Sequence, residues 1–391
     1  MIYLDNAATT YPKPASVARA MDEFMQRRAA NPGRSGHQLS MAAAREVYLC
    51  RADLAAFFNA PGPECVAFTL NATQAVNMAM KGELMSRRGA HVLTSDLEHN
   101  AVMRPLQRLL AAGVEYSAAQ VDLLDDDATV RAFEEGIRPN TVMIACTHAS
   151  NLCGRALPIG RIGALCRARG LKFLVDAAQT AGVLPIDMQA CGIDYLCLAG
   201  HKSLYGPMGT GALIAPEGEK LETLLEGGTG SNSVSLEQPD FMPDRLESGT
   251  VNAPGIAGLR AGLAFVKRQG VDALRRREMA AAARLYDQLA EIAGVELYTP
   301  RPGEGYVPVV SFNIRGLASS EAATLLDRRG FALRGGMHCA PVAHRKFGTL
   351  DTGMVRASFG AFNTKADARR LAEAVASLAG GAGKSAGGVS R

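Results

Sequence analysis

Neither sign of charge predominates: 42 basic residues stand against 38 acidic ones, for a net charge of +4. Such a mixed surface carries no basic stripe, which argues against nucleic acid or an acidic membrane as partner and leaves small anionic ligands open. No stretch approaches the roughly 18 uninterrupted apolar residues of a membrane span. The opening MIYLDNAATT has neither a charged leader nor an apolar h-region. The cysteines, at positions 50, 65, 146, 153, 166, 191, 197 and 339, include no CxxC pair and no disulfide-framework spacing. These absences predict a soluble, unprocessed protein of a reducing cytoplasm. There is no internal repeat.

What the chain does have is length. Its 391 residues exceed one ordinary core, so two packed domains are expected, or one large domain with a satellite. From about residue 66, short apolar runs alternate with longer helical patterns: VAFTL before Gln74 to Arg87, AHVLTS before Ala101 to Ala112, TVMIACTHAS before Ile159 to Arg169, then KFLVDAA, YLCLAG and GALIA. That alternation predicts an α/β fold with a mainly parallel sheet and helices on both faces. Residues 217–256, with GGTGSNS and several prolines, read as loops over an active site. Two Ala- and Leu-rich helical patterns follow (255–270 and 271–293), then the strand VPVVSFNI and a helix over 320–329, which together suggest a smaller C-terminal α+β domain. The tail from Gly380 is small and polar and is expected to be flexible. Its Gly383-Lys384-Ser385 looks like the end of a phosphate loop, but Leu378 stands where the first glycine is needed and no strand leads in.

Three segments carry the candidate chemistry: KFLVDAAQTAG (172–182), YLCLAGHKSLYGPMGTGAL (195–213) and ALRGGMHCAP (332–341). Asp176 and Gln179 should sit at the carboxyl end of a buried strand, where open α/β sheets bind ligands. Lys202 should end a neighbouring strand at the same edge. A buried salt bridge between Asp176 and Lys202 is one reading. The other is a cofactor site, with the lysine amine joined to an aldehyde and the carboxylate opposite a pyridine nitrogen. Phosphate donors for it are present at Ala72-Thr73-Gln74, where a helix opens, and at His201. Thr73 reads equally as a simple N-cap.

His99 in SDLEHNA suits stacking on a ring and proton exchange near neutral pH, or a cap or surface position. Arg356 suits a bidentate carboxylate contact or a surface ion pair. Cys339 lies on a glycine-rich loop, with Arg334 and His338 placed to favour its thiolate, whereas Cys146, Cys166 and Cys197 lie in apolar runs and read as inert. A zinc site of Cys339, His338 and His344 would lack a fourth ligand and a recognisable spacing, so no metal is expected.

With these segments in order, and with NAATT, EHNA, ESGT and FNTKAD around them, the chain resembles the class V aminotransferase-like cysteine desulfurases over nearly its whole length. RGGMHCA looks like the group II, or SufS-like, form of the cysteine loop. The resemblance implies a pyridoxal 5'-phosphate (PLP) dependent transferase fold of type I, with a mixed sheet of the seven-stranded type. It divides the chain into an N-terminal segment (1–15) packing with the small domain, a large PLP-binding domain (16–256), a small domain with the cysteine loop (257–379) and the tail (380–391).

It further implies removal of sulfur from L-cysteine, giving L-alanine and a persulfide on Cys339, followed by transfer to an acceptor protein or thiol. Lys202 would hold the cofactor, Asp176 its pyridine nitrogen and Gln179 the ring hydroxyl, with His99 stacked on the ring. Ala72, Thr73 and His201 would hold the phosphate, with Thr250 reaching in from the second subunit of a homodimer with shared sites. Asn151 would face the cofactor, and Arg356, with Arg334, would serve the substrate. Ala199, Gln74 and Met337 stand where the group usually has serine, glutamate and a second histidine, the last two near the substrate. A selenocysteine lyase is the nearest alternative, followed by a class V aminotransferase or a PLP-binding module without turnover.

Overall fold

The computed structural model describes residues 1–33 and 35–385, with side chains as far as Gly380. A seven-stranded sheet has the order 66–69, 211–214, 195–199, 172–176, 141–147, 91–95 and 115–119. Its last five strands run parallel, and Gly211–Ile214 is antiparallel to both of its neighbours. The mainly parallel sheet expected from the alternation, and the mixed seven-stranded type that the resemblance implied, are thus observed.

Side chains alternate across this sheet and feed two separate cores, as a strand apolar on both faces requires. Ile144, Cys146, Phe173, Val175, Leu196 and Leu198 pack in one core. Their neighbours Met143, Ala145, Leu174, Tyr195 and Cys197 pack in the other. Burial raises the thiols of Cys146 and Cys197 far above the usual range, so these two are the inert core residues their runs predicted.

Two helices precede the alternating region, Ala15–Arg27 and Gln38–Phe57. A second, antiparallel sheet has the order 334–336, 354–358, 309–314 and 295–297. It buries Val310, Phe312, Val355 and Ala357 with Leu285, Leu289, Leu371 and Val375 of the helices Val271–Ala290 and Lys365–Ser385. The chain start joins this body: Ile2 and Tyr3 pair in parallel with Phe331 and Ala332, and Leu4 is fully buried in the same core.

The final helix runs through Ser385, past Gly380 where the tail was expected to begin. Once packed turns have nucleated a helix, each added residue gains a hydrogen bond. Residues 386–391 of that expected tail lie outside the described residues. No described helix is long and apolar enough to cross a membrane.

Of the stretch 217–256, residues 217–252 have no regular element beyond one short 3-10 turn, and the last four residues open the helix Ala253–Gln269, so the expected loop ends earlier than its bounds. It is pinned by Glu247, whose carboxylate takes the Arg51 guanidinium at 2.5 and 2.6 Å and the Phe68 amide at 2.5 Å. Both partners of the pair are about nine-tenths buried. Glu247→Ala leaves Arg51 buried and unpaired, so it should destabilise the protein by about 3–5 kcal/mol, read as a lower urea midpoint. An unchanged midpoint would show that the pair does not hold this segment.

Candidate active site

The carboxyl ends of the central strands open onto a cavity of about 220 Å³, where an open α/β sheet binds ligands. Asp176 closes one strand, opposite Cys197 of the next. Lys202 lies in the turn that leaves that second strand. The turn is tight because Gly206 donates to the Gly200 carbonyl at 2.8 Å and Tyr205 to that of Lys202 at 2.8 Å. A β-carbon on Gly200 would lie 2.3 Å from the Thr210 hydroxyl, so only glycine fits there.

Asp176, Gln179, His201 and Lys202 line the cavity together with His99, Asn151, Arg334 and Arg356. The helix Ala72–Leu84 adds Ala72 and Thr73, whose amides lie in a first turn that leaves them without intrahelical acceptors. The N-cap is Asn71, whose side chain accepts from Gln74 at 3.0 Å, so Thr73 is not the cap. Gln74 accepts from the Leu70 amide at 2.7 Å. It faces an adjoining cavity of about 210 Å³ and not the one that holds Lys202, contrary to its expected place near the substrate. Ala199 does line the site and offers it no hydroxyl.

Burial sets the protonation states. The Lys202 ammonium is pushed down to about 8 by desolvation, against the field of Asp176. Asp176 is raised by its burial, which outweighs its bond from the Ala178 amide at 2.9 Å and the nearby Lys202 charge. His99 is pushed down to about 4, first by burial and then by Lys202, Arg334 and Arg356. It is therefore neutral at pH 7, not titrating there as its residue type had suggested. Its Nδ1 accepts from Ala101 at 3.0 Å, which places the ring proton on Nε2. His201 is likewise lowered to about 4, chiefly by burial.

Cys339 and Thr250 do not line this cavity. Cys339 is exposed and has a left-handed φ of +55°, as does His338 before it at +49°. The turn is held from both sides. Asn100 donates to the Cys339 carbonyl at 2.8 Å, and the Asn151 side chain donates to the His338 carbonyl at 2.8 Å. His338 lines the cavity, so the thiol stands next to a wall residue. Burial lowers His338 to about 3. It is uncharged at pH 7 and brings the turn no positive charge, in contrast to the expectation from its position. Its ring stacks on His344 at 5.8 Å, and no group of three His, Cys, Asp or Glu residues among those described is placed to hold a metal ion. Thr250 faces the adjoining cavity, with other residues of the stretch 217–256. That stretch therefore does not cover the Lys202 cavity within this chain.

Four neighbours of the site had no signal of their own. Asp5 meets Arg356 at 2.6 Å. Ala7 lines the cavity, and its carbonyl accepts from Gln179 at 3.0 Å. Lys13 donates to the His201 carbonyl at 2.5 Å. Glu98, fully buried and pushed up to about 8 by desolvation, accepts from the Ser95 hydroxyl and from the Thr147 amide at 2.9 Å, linking two strand ends beneath His99. EHNA and NAATT contain two of these four, Glu98 and Ala7, but only the fold shows what each touches.

Residues 2–371 match the model of the family described as aminotransferase class-V. This chain belongs to that family. It is 33% identical to a probable cysteine desulfurase of Methanothermobacter thermautotrophicus, covering 97% of this chain and 95% of that protein. It is 36% identical to one from Xylella fastidiosa, over 96% and 90% of the two chains. Among solved structures, the apo cysteine desulfurase of Thermococcus onnurineus superposes with a TM-score of 0.91 at 32% identity, covering 97% of this chain and 95% of that one. An Escherichia coli cysteine desulfurase gives 0.85 at 29% identity, over 95% and 93%.

Class-V aminotransferases generally use pyridoxal phosphate, and the cavity fits such a group. His201 Nδ1, Asn151 Oδ1 and Arg356 Nε are buried without partners among the described residues. Unmet polar atoms on three residues that line one cavity call for a polar ligand. Histidine NMR on the ligand-free protein should find His99, His201 and His338 neutral at pH 7, with midpoints near 4, 4 and 3. A His99 midpoint near 6.5 would overturn its assigned burial.

Proposed function

We propose that the chain is a PLP-dependent cysteine desulfurase that converts L-cysteine to L-alanine and leaves a persulfide on Cys339. One observation carries the reading: Lys202, Asp176, His99 and Arg356 share a cavity, with an exposed cysteine on a strained turn at its wall. The full-length relatives named as cysteine desulfurases support it.

Pyridoxal phosphate, when bound, supplies a carbonyl for amines and a ring that stores an electron pair. Lys202 would attach it, since a lysine with a pKa of about 8 has an appreciable neutral, nucleophilic fraction near pH 7. Asp176 would hold the pyridine nitrogen and Gln179 the ring hydroxyl. Ala72, Thr73 and His201 would hold the phosphate, and His99 would face the ring. Asn151 would lie beside it. In a homodimer with shared sites, Thr250 of the second copy would complete the phosphate contacts. This accounts for its distance from the Lys202 cavity within one chain.

Arg356 would take the substrate carboxylate, with Arg334 beside it, and Lys202 would then move the α-proton. The Cys339 thiolate attacks the substrate sulfur, so an S–S bond forms as the C–S bond breaks. The electron pair stays on carbon, which takes up a proton to give alanine. The persulfide then passes its outer sulfur to an acceptor protein or thiol by exchange.

We take 16–256 as the cofactor domain and 257–379 as the small domain, with residues 1–15 packed on the latter; the two sheets support that division. A cytoplasmic location is supported by the cysteines, all unpaired.

The first test incubates the PLP-loaded protein with L-cysteine and a reducing thiol and quantifies sulfide and alanine. Equal amounts, lost in Cys339→Ala, are expected. Selenide released from L-selenocysteine alone would mark a selenocysteine lyase, and conversion of the cofactor to its amine form would mark an aminotransferase. Lys202→Ala should abolish the covalent cofactor link and its visible absorption. In the wild-type apoprotein, the rate of PLP attachment should rise with pH through about 8 and level off above it, because only the neutral amine reacts. A flat profile from pH 6 to 9 would sink the assignment of that lowered pKa.

A further inference from the structure

We infer that Asp5 is a positioning residue for substrate binding, fixing the Arg356 guanidinium so that its Nε–H is offered to the substrate carboxylate. This rests on the reading above that Arg356 is the carboxylate receptor. Arg356 is 1% exposed on the strand Met354–Ser358. Directly opposite it, on the antiparallel neighbour, stands Arg334, which also lines the cavity. Two like charges at paired positions repel, so an unassisted Arg356 would be driven away from Arg334.

Asp5 is the counter-charge that prevents this. Its carboxylate meets Nη2 at 2.6 Å, while Nη1 donates to the Asn151 carbonyl at 3.0 Å. Both contacts grip the outer nitrogens and leave Nε buried with no partner among the described residues. A buried charged donor without an acceptor is costly, and a carboxylate arriving in the cavity would meet that need. Asp5 is itself fixed by backbone: it bridges to Ser358, whose amide donates to the Leu4 carbonyl at 2.7 Å. Asp5 also offsets one of the two guanidinium charges, which suits a substrate with a single carboxylate and lets alanine leave.

The test compares Asp5→Asn, Asp5→Glu and wild type as PLP-loaded enzymes. Asp5→Asn should raise KM for L-cysteine about tenfold, with kcat within about threefold and the visible absorption kept, because a charge-assisted contact on a binding group is lost. The inhibition constant of L-alanine should rise in parallel, while that of cysteamine, which lacks the carboxylate, should not move. Asp5→Glu should fall between Asn and wild type; it also serves as the deciding variant if Asp5→Asn does not fold, and wild-type values for KM and alanine inhibition would then refute the role. Unchanged KM and alanine inhibition in a folded Asp5→Asn enzyme overturn the inference, and so does a parallel loss for cysteamine. Absence of desulfurase activity in wild type overturns the function instead, a separable outcome.

Discussion

Much of this structure depends on keeping a lysine and an aspartate, both removed from water, at the carboxyl edge of a sheet that is apolar on each face. Ions in such a place are tolerated only with partners. Desolvation drives Lys202 toward neutrality and Asp176 toward protonation, and each charge partly restrains the other. The sheet makes the arrangement unavoidable: Asp176 ends one strand, the Lys202 turn follows its neighbour, and a parallel pair brings both ends to the same side.

The surroundings of this pair are arranged to avoid further mobile charge. His99, His201 and His338 are neutral through burial, so the permanent charge lining the cavity comes from Arg334 and Arg356. Glu98 ties Ser95 to Thr147 where the two strands no longer pair, and so supports the loop that carries His99. An excess of fixed positive charge suits ligands with phosphate and carboxylate groups. The histidines are left to act through shape and single N–H donors.

The N-terminal loop links the two bodies around the cavity. Asp5 grips Arg356 of the antiparallel sheet, Ala7 accepts from Gln179 of the parallel one, and Thr9, Thr10 and Lys13 converge on the carbonyls of His201 and Lys202. One short segment thereby sets the distance between the lysine turn and the carboxylate receptor. The thiol is held by a different device, a turn with two successive left-handed residues anchored by Asn100 and Asn151.

Short apolar runs alternating with helical patterns were enough to predict the mainly parallel sheet, and Asp176 and Lys202 were placed at its edge from their positions after apolar runs. Those features are local: they follow from which residues must leave water over five or ten positions. The resemblance to a known family added the individual roles at ten positions that do line the cavity, together with Cys339 and Thr250, which do not. Tertiary structure decided what depends on contacts across hundreds of residues. It neutralised His338 by burying it, turned Gln74 into the neighbouring cavity, and brought Asp5 against Arg356 from the other end of the chain. Protonation and counter-ion pairing are set by the local dielectric and by distance in space, and neither is written in the order of the residues.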